Sequence, residues 1–364
     1  MLSRRALNRA LLARQLLLER SDLGAGDALE HLIGMQAQLP TPPYIALWSR
    51  LRAFRPDDLS DLIANRGAVR IALMRSTIHL VTAGDCAALR PLMREMLERR
   101  AFGAYGAPLS EVDRVALEAE GRGLLESEPL SLGTLGARMA TRWPDCPPQG
   151  LASAVRALVP MVQIPPRGLW GRSGQALHRP AESWLGGSMT GGLSPTALVE
   201  RYLRAFGPAT PRDLQIWSGL TRWREAIDAL RPRLRTFRDE QGRELLDLED
   251  GPLPDAGRSA PVRFLPEFDN VFLSHSDRSR IISEEDRARV DTKNGVFPRM
   301  VLIDGFVAGT WMVRAERPSA VLEIRAFRPV PSALAAEATE EAARLLEVLA
   351  PDAGRRDIAF INGG

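Results

Sequence analysis

The sequence predicts an α+β fold: three tandem winged-helix units, then a C-terminal β-barrel-like unit with a terminal helix. Two observations predict it. The order helix, helix, helix, strand, strand recurs three times before Gly251. Beyond Gly251 short apolar, strand-like runs take over, until a last amphipathic stretch from Pro331 to Leu349. On this reading the units are 1–105, 106–190, 191–255 and 256–364.

In the first unit Ser3 caps a helix running to about Glu19, with Leu7, Leu11 and Leu18 on its apolar stripe. Asp27 as N-cap and Glu30 at N3 form a capping box that opens the next helix. Pro40, Pro42 and Pro43 then impose an extended path. Pro56-Asp57-Asp58 opens a third helix, ended by Gly67, and 69–73 and 77–81 are the wing strands. In the second unit Ser110, Ser131 and Leu151 start helices, and 162–164 and 169–171 are the wing. In the third, Ser194-Pro195, Thr210-Pro211 and Thr221 start helices, and 234–238 and 244–248 form a hairpin. The last unit carries strands at 262–265, 300–303, 307–313 and 320–326, with Asp304-Gly305 as a tight hairpin turn.

Composition excludes several classes. Cys86 and Cys146 stand far apart, which argues against a disulfide framework or structural zinc. The four histidines form no metal-ligand pair, so no metal or cofactor is expected. No run approaches the length of a membrane span, and the N-terminus opens an amphipathic helix rather than a secretory signal. A cytoplasmic, monomeric protein is the expectation. The pI of 9.3 comes almost wholly from arginine, since Lys293 is the only lysine. Arginine forks suit phosphates and guanine edges, but a solvated surface laced with ion pairs explains them equally well.

One stretch stands apart, Gly34-Met35-Gln36-Ala37-Gln38-Leu39-Pro40. Positions i and i+2 diverge on a helix and align on an extended segment. A helix giving way to prolines can therefore aim Gln36 and Gln38 at one spot. Carboxamides accept and donate hydrogen bonds but do not titrate usefully. Such a pair can hold a water or read a base edge. It cannot serve as a strong base, so chemistry here needs a leaving group that is already activated.

Further marks follow in order. They are Arg75-Ser76-Thr77-Ile78-His79-Leu80, Phe206-Gly207-Pro208-Ala209-Thr210 and Trp217-Ser218-Gly219-Leu220. Then come Leu265-Pro266-Glu267-Phe268-Asp269, His275-Ser276-Asp277-Arg278, Asp304-Gly305 and Ala308-Gly309-Thr310-Trp311. With these the chain resembles, nearly end to end, the AlkZ-like family of winged-helix DNA glycosylases. The resemblance implies three winged helices and a small β-barrel around a DNA channel. It implies hydrolysis of the N-glycosidic bond of alkylated purines, with a Gln-hydrophobic-Gln catalytic pair at Gln36 and Gln38. The YcaQ branch carries aspartate at the second place, so Gln38 is closer to the AlkZ branch. That branch is linked to self-resistance against alkylating natural products and to unhooking of interstrand crosslinks.

The expected partner is double-stranded DNA carrying an alkylated purine or a crosslink. His79, His275, Arg278, Arg280 and Lys293 are the candidate DNA contacts. For His79 a structural role under the helix layer competes with a place beside the glutamines. For His275, Arg278 and Arg280 a surface ion-pair cluster competes with phosphate contact. A regulator that binds DNA without catalysis, or a protein-binding scaffold, would also use winged helices. The glutamine pair is what separates the enzyme from them.

Overall fold

The computed structural model describes all of the chain except residues 190, 291–296, 317, 363 and 364. Ser3 caps the first helix as expected, its side chain accepting from the Ala6 N–H. That helix stops at Arg14, and it is a buried strut. Asn8 donates to the carbonyls of Arg280 and Gly305 at 2.8 and 2.7 Å. Arg14 pairs with Asp247 at 2.9 Å, both side chains fully buried. The second helix, Ala25–His31, starts at Gly24. Asp27 lies inside its first turn, so the expected capping box does not form.

Gly34 ends this turn at φ +78°, and a Cβ there would sit 2.5 Å from Val81 Cγ1. Only glycine lets the chain press so closely on the neighbouring strand. It enters strand β1, Met35–Gln36. The extended path predicted beyond it is short. Pro42 and Pro43 occupy the first turn of a helix, Pro42–Arg50, where their missing N–H groups cost nothing. Helix Pro56–Ala64 and strands β2 (Ala68–Ala72) and β3 (Ile78–Thr82) follow. A 23-residue helix, Ala83–Tyr105, was not foreseen; Thr82 caps it.

In the second unit Asp113, rather than Ser110, caps helix Arg114–Ser127. Ser131 caps Leu132–Met139 as predicted, and Pro148–Leu158 completes the trio. Its wing differs from expectation. Strand β4 (Met161–Gln163) pairs with β5 (His178–Pro180), not with 169–171. Gly168 and Trp170 turn back instead onto helix Pro42–Arg50. There the Tyr44 hydroxyl donates to the Gly168 carbonyl at 2.7 Å, and the Tyr44 and Trp170 rings lie 4.9 Å apart. Strand β4 also pairs with β2. The strands expected as two separate wings thus merge into one sheet, ordered β1-β3-β2-β4-β5.

The third unit follows its sequence signals more closely. Ser194 and Thr210 cap helices Pro195–Phe206 and Pro211–Ser218, and β6 (Leu234–Arg238) and β7 (Glu244–Leu248) form the hairpin. Thr221 is not a cap, because helix Arg224–Leu230 starts after Trp223. Strands β8 (Arg263–Leu265), β9 (Met300–Ile303), β10 (Phe306–Glu316), β11 (Ser319–Ala326) and β12 (Arg355–Asn362) build the last sheet. Its order is β12-β11-β10-β9-β8. The sheet is open, with β8 and β12 at opposite edges, so no closed barrel forms among the described residues. Helix Ser332–Leu349 covers one face through Ala338, Ala342, Leu345 and Leu346, in one cluster with Phe264 and Leu322.

The most extensive apolar cluster runs from Leu11 and Val69 through Phe206 and Trp217 to Phe272 and Met300. The rings of Tyr202, Phe206 and Trp217 pack within 5.1 to 5.6 Å of one another at its centre. Burial of this apolar surface holds the elements in fixed relation.

Candidate active site

The sequence motifs meet each other in space. In the register of β1 against β3, Gln36 lies opposite His79. Between the two glutamines the backbone is pinned, Ala37 N–H to Ile78 O at 2.7 Å and Arg70 Nη2 to Ala37 O at 2.7 Å. Arg70 is buried, which lowers its pKa to about 10, helped by nearby Arg167. From the far end of the chain, Asn270 Nδ2 donates to the Gly34 carbonyl at 3.0 Å. The Gly34–Gln38 turn is therefore held from both sides.

Gln36 is buried at 7% exposure, whereas Gln38 is exposed. The Gln36 carbonyl oxygen accepts from Arg75 Nη2 at 2.8 Å. The Gln38 carbonyl oxygen accepts more weakly from the Ile78 N–H at 3.3 Å. Gln36 thus hangs on the turn before β3 and Gln38 on the first residue of β3. Gln36 also borders a cleft of about 10 Å³ with Glu267, Arg50 and Asp269. Asp269 is spent within it, bound at both oxygens by Arg50 at 2.8 Å.

Arg75 received no role from the sequence. It sits at φ +57°, in the left-handed region that non-glycine residues rarely occupy. Its other fork arm donates to the Trp217 carbonyl. Gly219, two residues on, packs where a Cβ would come within 3.1 Å of the Arg75 backbone. The Trp217–Leu220 motif is thus the seat of Arg75. Burial lowers the Arg75 pKa to about 10, and Arg100 and Arg278 push it the same way. It still carries its charge at neutral pH, within a cluster of three arginines. The one sequence signal for it was an arginine at the mouth of a wing strand.

The candidate DNA contacts scatter. His79 is buried, its Nδ1–H donating to Thr77 O at 3.0 Å, and burial with Arg75 nearby pushes its pKa down to about 3. It stands beside Gln36 as a neutral ring. His275 is also buried, bonded to Ser274 Oγ at 2.9 Å and Phe206 O at 3.1 Å, with its pKa near 3 from burial and Arg280. Arg280 is buried and donates to Pro208 O at 2.9 Å. His275 and Arg280 do not lie at the surface, as the sequence suggested. Their donors bind the Phe206–Ala209 motif instead, and Ser276 binds Asp213 beside it. Arg278 is half-buried, stacked 4.8 Å over Phe297, and like His79 it comes near Arg75. Lys293 lies outside the described residues.

A second basic feature was missed. Arg212, Arg222 and Arg224 line an open groove of about 610 Å³ between helices Pro211–Ser218 and Arg224–Leu230. All three are exposed. The end of the first of these helices is the segment that holds Arg75. Among the described residues no metal-ligand cluster is present, and no helix is long and apolar enough to cross a membrane.

Comparison with known proteins places the chain in a family. The chain is 23% identical to an interstrand DNA cross-link repair glycosylase of Streptomyces sahachiroi, over 82% of this chain and 85% of that one. Its fold matches the solved structure of Streptomyces sahachiroi DNA glycosylase AlkZ with a TM-score of 0.81. That match has 20% identity and covers 99% of this chain and 100% of the other. Residues 29–348 match the family described as DNA glycosylase AlkZ-like, and the chain belongs to that family.

Proposed function

We propose that this DNA glycosylase hydrolyses the N-glycosidic bond of cationic N7-alkylated purines, crosslinked ones included, with Gln36 and Gln38 positioning the reaction. Repair of damage by an alkylating natural product, as self-resistance, is the setting this reading favours. The observation that carries it is the Gln36–Gln38 turn, clamped by Arg70, Arg75 and Asn270 from three separate segments. Two of these bonds fix the backbone on either side of Gln36 and the third fixes its carboxamide, which supports reading the turn as the place where the pair is positioned.

The chemistry suits them. N7-alkylation puts a positive charge on the purine, which then leaves without protonation by an acid. The active site has to hold a water near C1′ and support an oxocarbenium-like sugar. Carboxamides aligned by charged and backbone partners supply fixed dipoles at no reorganisation cost. The relative named for interstrand cross-link repair supports extending the substrate to crosslinks.

Release of 7-methylguanine from methylated duplex DNA by the purified protein tests the lesion class. A duplex crosslinked through guanine N7 positions by a nitrogen mustard tests unhooking. The first substrate should give free 7-methylguanine and an abasic strand; the second should give an abasic strand and a partner strand that still carries the tethered guanine adduct. Intact strands in both assays overturn the reading.

A further inference from the structure

We propose that Glu267 is the general base of this site, taking a proton from the attacking water that Gln36 helps to hold. The Gln-hydrophobic-Gln segment contains no carboxylate, but the fold delivers one from a distant segment. Glu267 and Gln36 border the same cleft of about 10 Å³, room for one water molecule.

The hydrogen-bond inventory of that cleft is nearly closed. Asp269 is saturated by Arg50 and the Val271 N–H. Gln36 commits its carbonyl oxygen to Arg75, which leaves its NH₂ as a donor. Glu267 Oε1 accepts from Arg299 Nε at 3.0 Å. Glu267 Oε2 is buried and has no partner. A buried carboxylate oxygen left unpaired costs free energy unless something fills the gap. One water satisfies both groups: it accepts from the Gln36 NH₂ and donates to Glu267 Oε2. Its second lone pair stays free for C1′.

The carboxylate is also firmly placed. Arg299 stacks 5.1 Å over Trp311, and Trp311 Nε1 donates to Leu265 O at 3.0 Å. Next to Glu267, Phe268 is held at φ +61° and Asp269 is locked to Arg50. The Leu265–Asp269 and Ala308–Trp311 motifs thus act together to fix one side chain. In the reaction the water oxygen bonds to C1′ as the C1′–N9 bond breaks. The bonding pair moves into the purine and neutralises its charge. The water proton passes to Glu267 Oε2.

The chemical step rests on the proposed hydrolysis, but the water site does not. A high-resolution crystal structure of the whole chain should show an ordered water within hydrogen-bond reach of Glu267 Oε2 and Gln36. A cleft closed by protein atoms, or Glu267 turned out to bulk solvent, overturns the proposal. Single-turnover release of 7-methylguanine tests the base. Glu267→Gln keeps the shape and the Arg299 bond, and should lower the rate about 100-fold, the low end for general-base loss. Affinity for lesion DNA and Tm should match wild type, and Glu267→Asp should fall between the two. A wild-type rate in Glu267→Gln overturns the assignment. If wild-type protein releases no base from methylated or crosslinked DNA, the proposed function fails, and the crystal structure alone decides the water site.

Discussion

Arg75 Nη2 donates to the carbonyl oxygen of Gln36 at 2.8 Å. Guanidinium groups only donate, so this bond dictates which end of the carboxamide faces which way. The Gln36 oxygen points at Arg75 and the NH₂ points away. Arg75 is itself fixed by the Trp217 carbonyl and by Arg100, whose Nη1 donates to the Arg75 carbonyl at 2.6 Å. Gln36 is therefore a pre-set dipole whose orientation depends on Trp217 and Arg100 through Arg75.

Arg75→Lys keeps the charge and loses the fork that spans Gln36 and Trp217. Lysine presents one flexible ammonium where arginine presents two fixed arms. Single-turnover base release should slow by about 10- to 100-fold, less than the roughly 10²- to 10³-fold cost of losing an oxyanion-site donor outright. Affinity for lesion DNA should change far less. Equal rates for the variant and wild type would show that the carboxamide does not need its clamp.

Much of this fold was readable locally. Ser3, Ser131, Ser194 and Thr210 each cap a helix where the sequence placed one. The Asp304-Gly305 turn joins β9 to β10 with both residues at positive φ, as a tight hairpin requires. What failed was tertiary. The Leu169–Gly171 strand yields to packing of Trp170 on Tyr44, a contact no window of sequence displays. His275 and Arg280 read as surface charge because their partners are backbone carbonyls, which leave no residue-type signature. The break from helix to extended chain at Gln36–Gln38 was legible, since proline and spacing are local. The contacts of Arg75 and Glu267 were not, because their partners lie far away in sequence.

Stability should fall in mild acid. Burial pushes His79 and His275 down to about 3 and His178 down to about 4. Unfolded histidine titrates near 6.5, so below that pH the unfolded chain binds protons that the folded one refuses. Stability from these groups is complete above about pH 7 and is lost as pH falls through 6.5 toward the folded values. Each contributes a slope of at most about 1.4 kcal/mol per pH unit inside that window. Urea midpoints at about pH 7 and pH 5 check this. His178→Asn, which can keep a donor to Leu130 O, should flatten the slope. Identical wild-type midpoints at the two pH values would contradict it.

DNA affinity should drop steeply with salt, because each neutralised phosphate releases counterions. Arg222 and Arg224 line the groove beside the segment that seats Arg75 and make no ion pair among the described residues. Replacing both by alanine should weaken binding to any sequence. It should also reduce the slope of log K against log salt by about one for each lost contact. A slope unchanged from wild type would move the DNA path off this groove.

The two glutamines should respond differently to truncation. Gln36→Ala strips Arg75 of an acceptor in a buried place, so it should lower both Tm and rate. Gln38 is exposed and weakly bonded, so Gln38→Ala should lower the rate with Tm nearly unchanged. By analogy with the loss of one oxyanion-site donor, each rate should fall about 10²- to 10³-fold. The residual rate stays appreciable, because a cationic purine supplies much of its own driving force. Gln38→Asp is the sharper variant. A carboxylate at that position can support an oxocarbenium ion, so release of 7-methylguanine should persist and the range of excised bases should widen. Single-turnover rates for the three variants, set beside their melting curves, decide the matter. Wild-type rates in both alanine variants would place the chemistry elsewhere in the molecule.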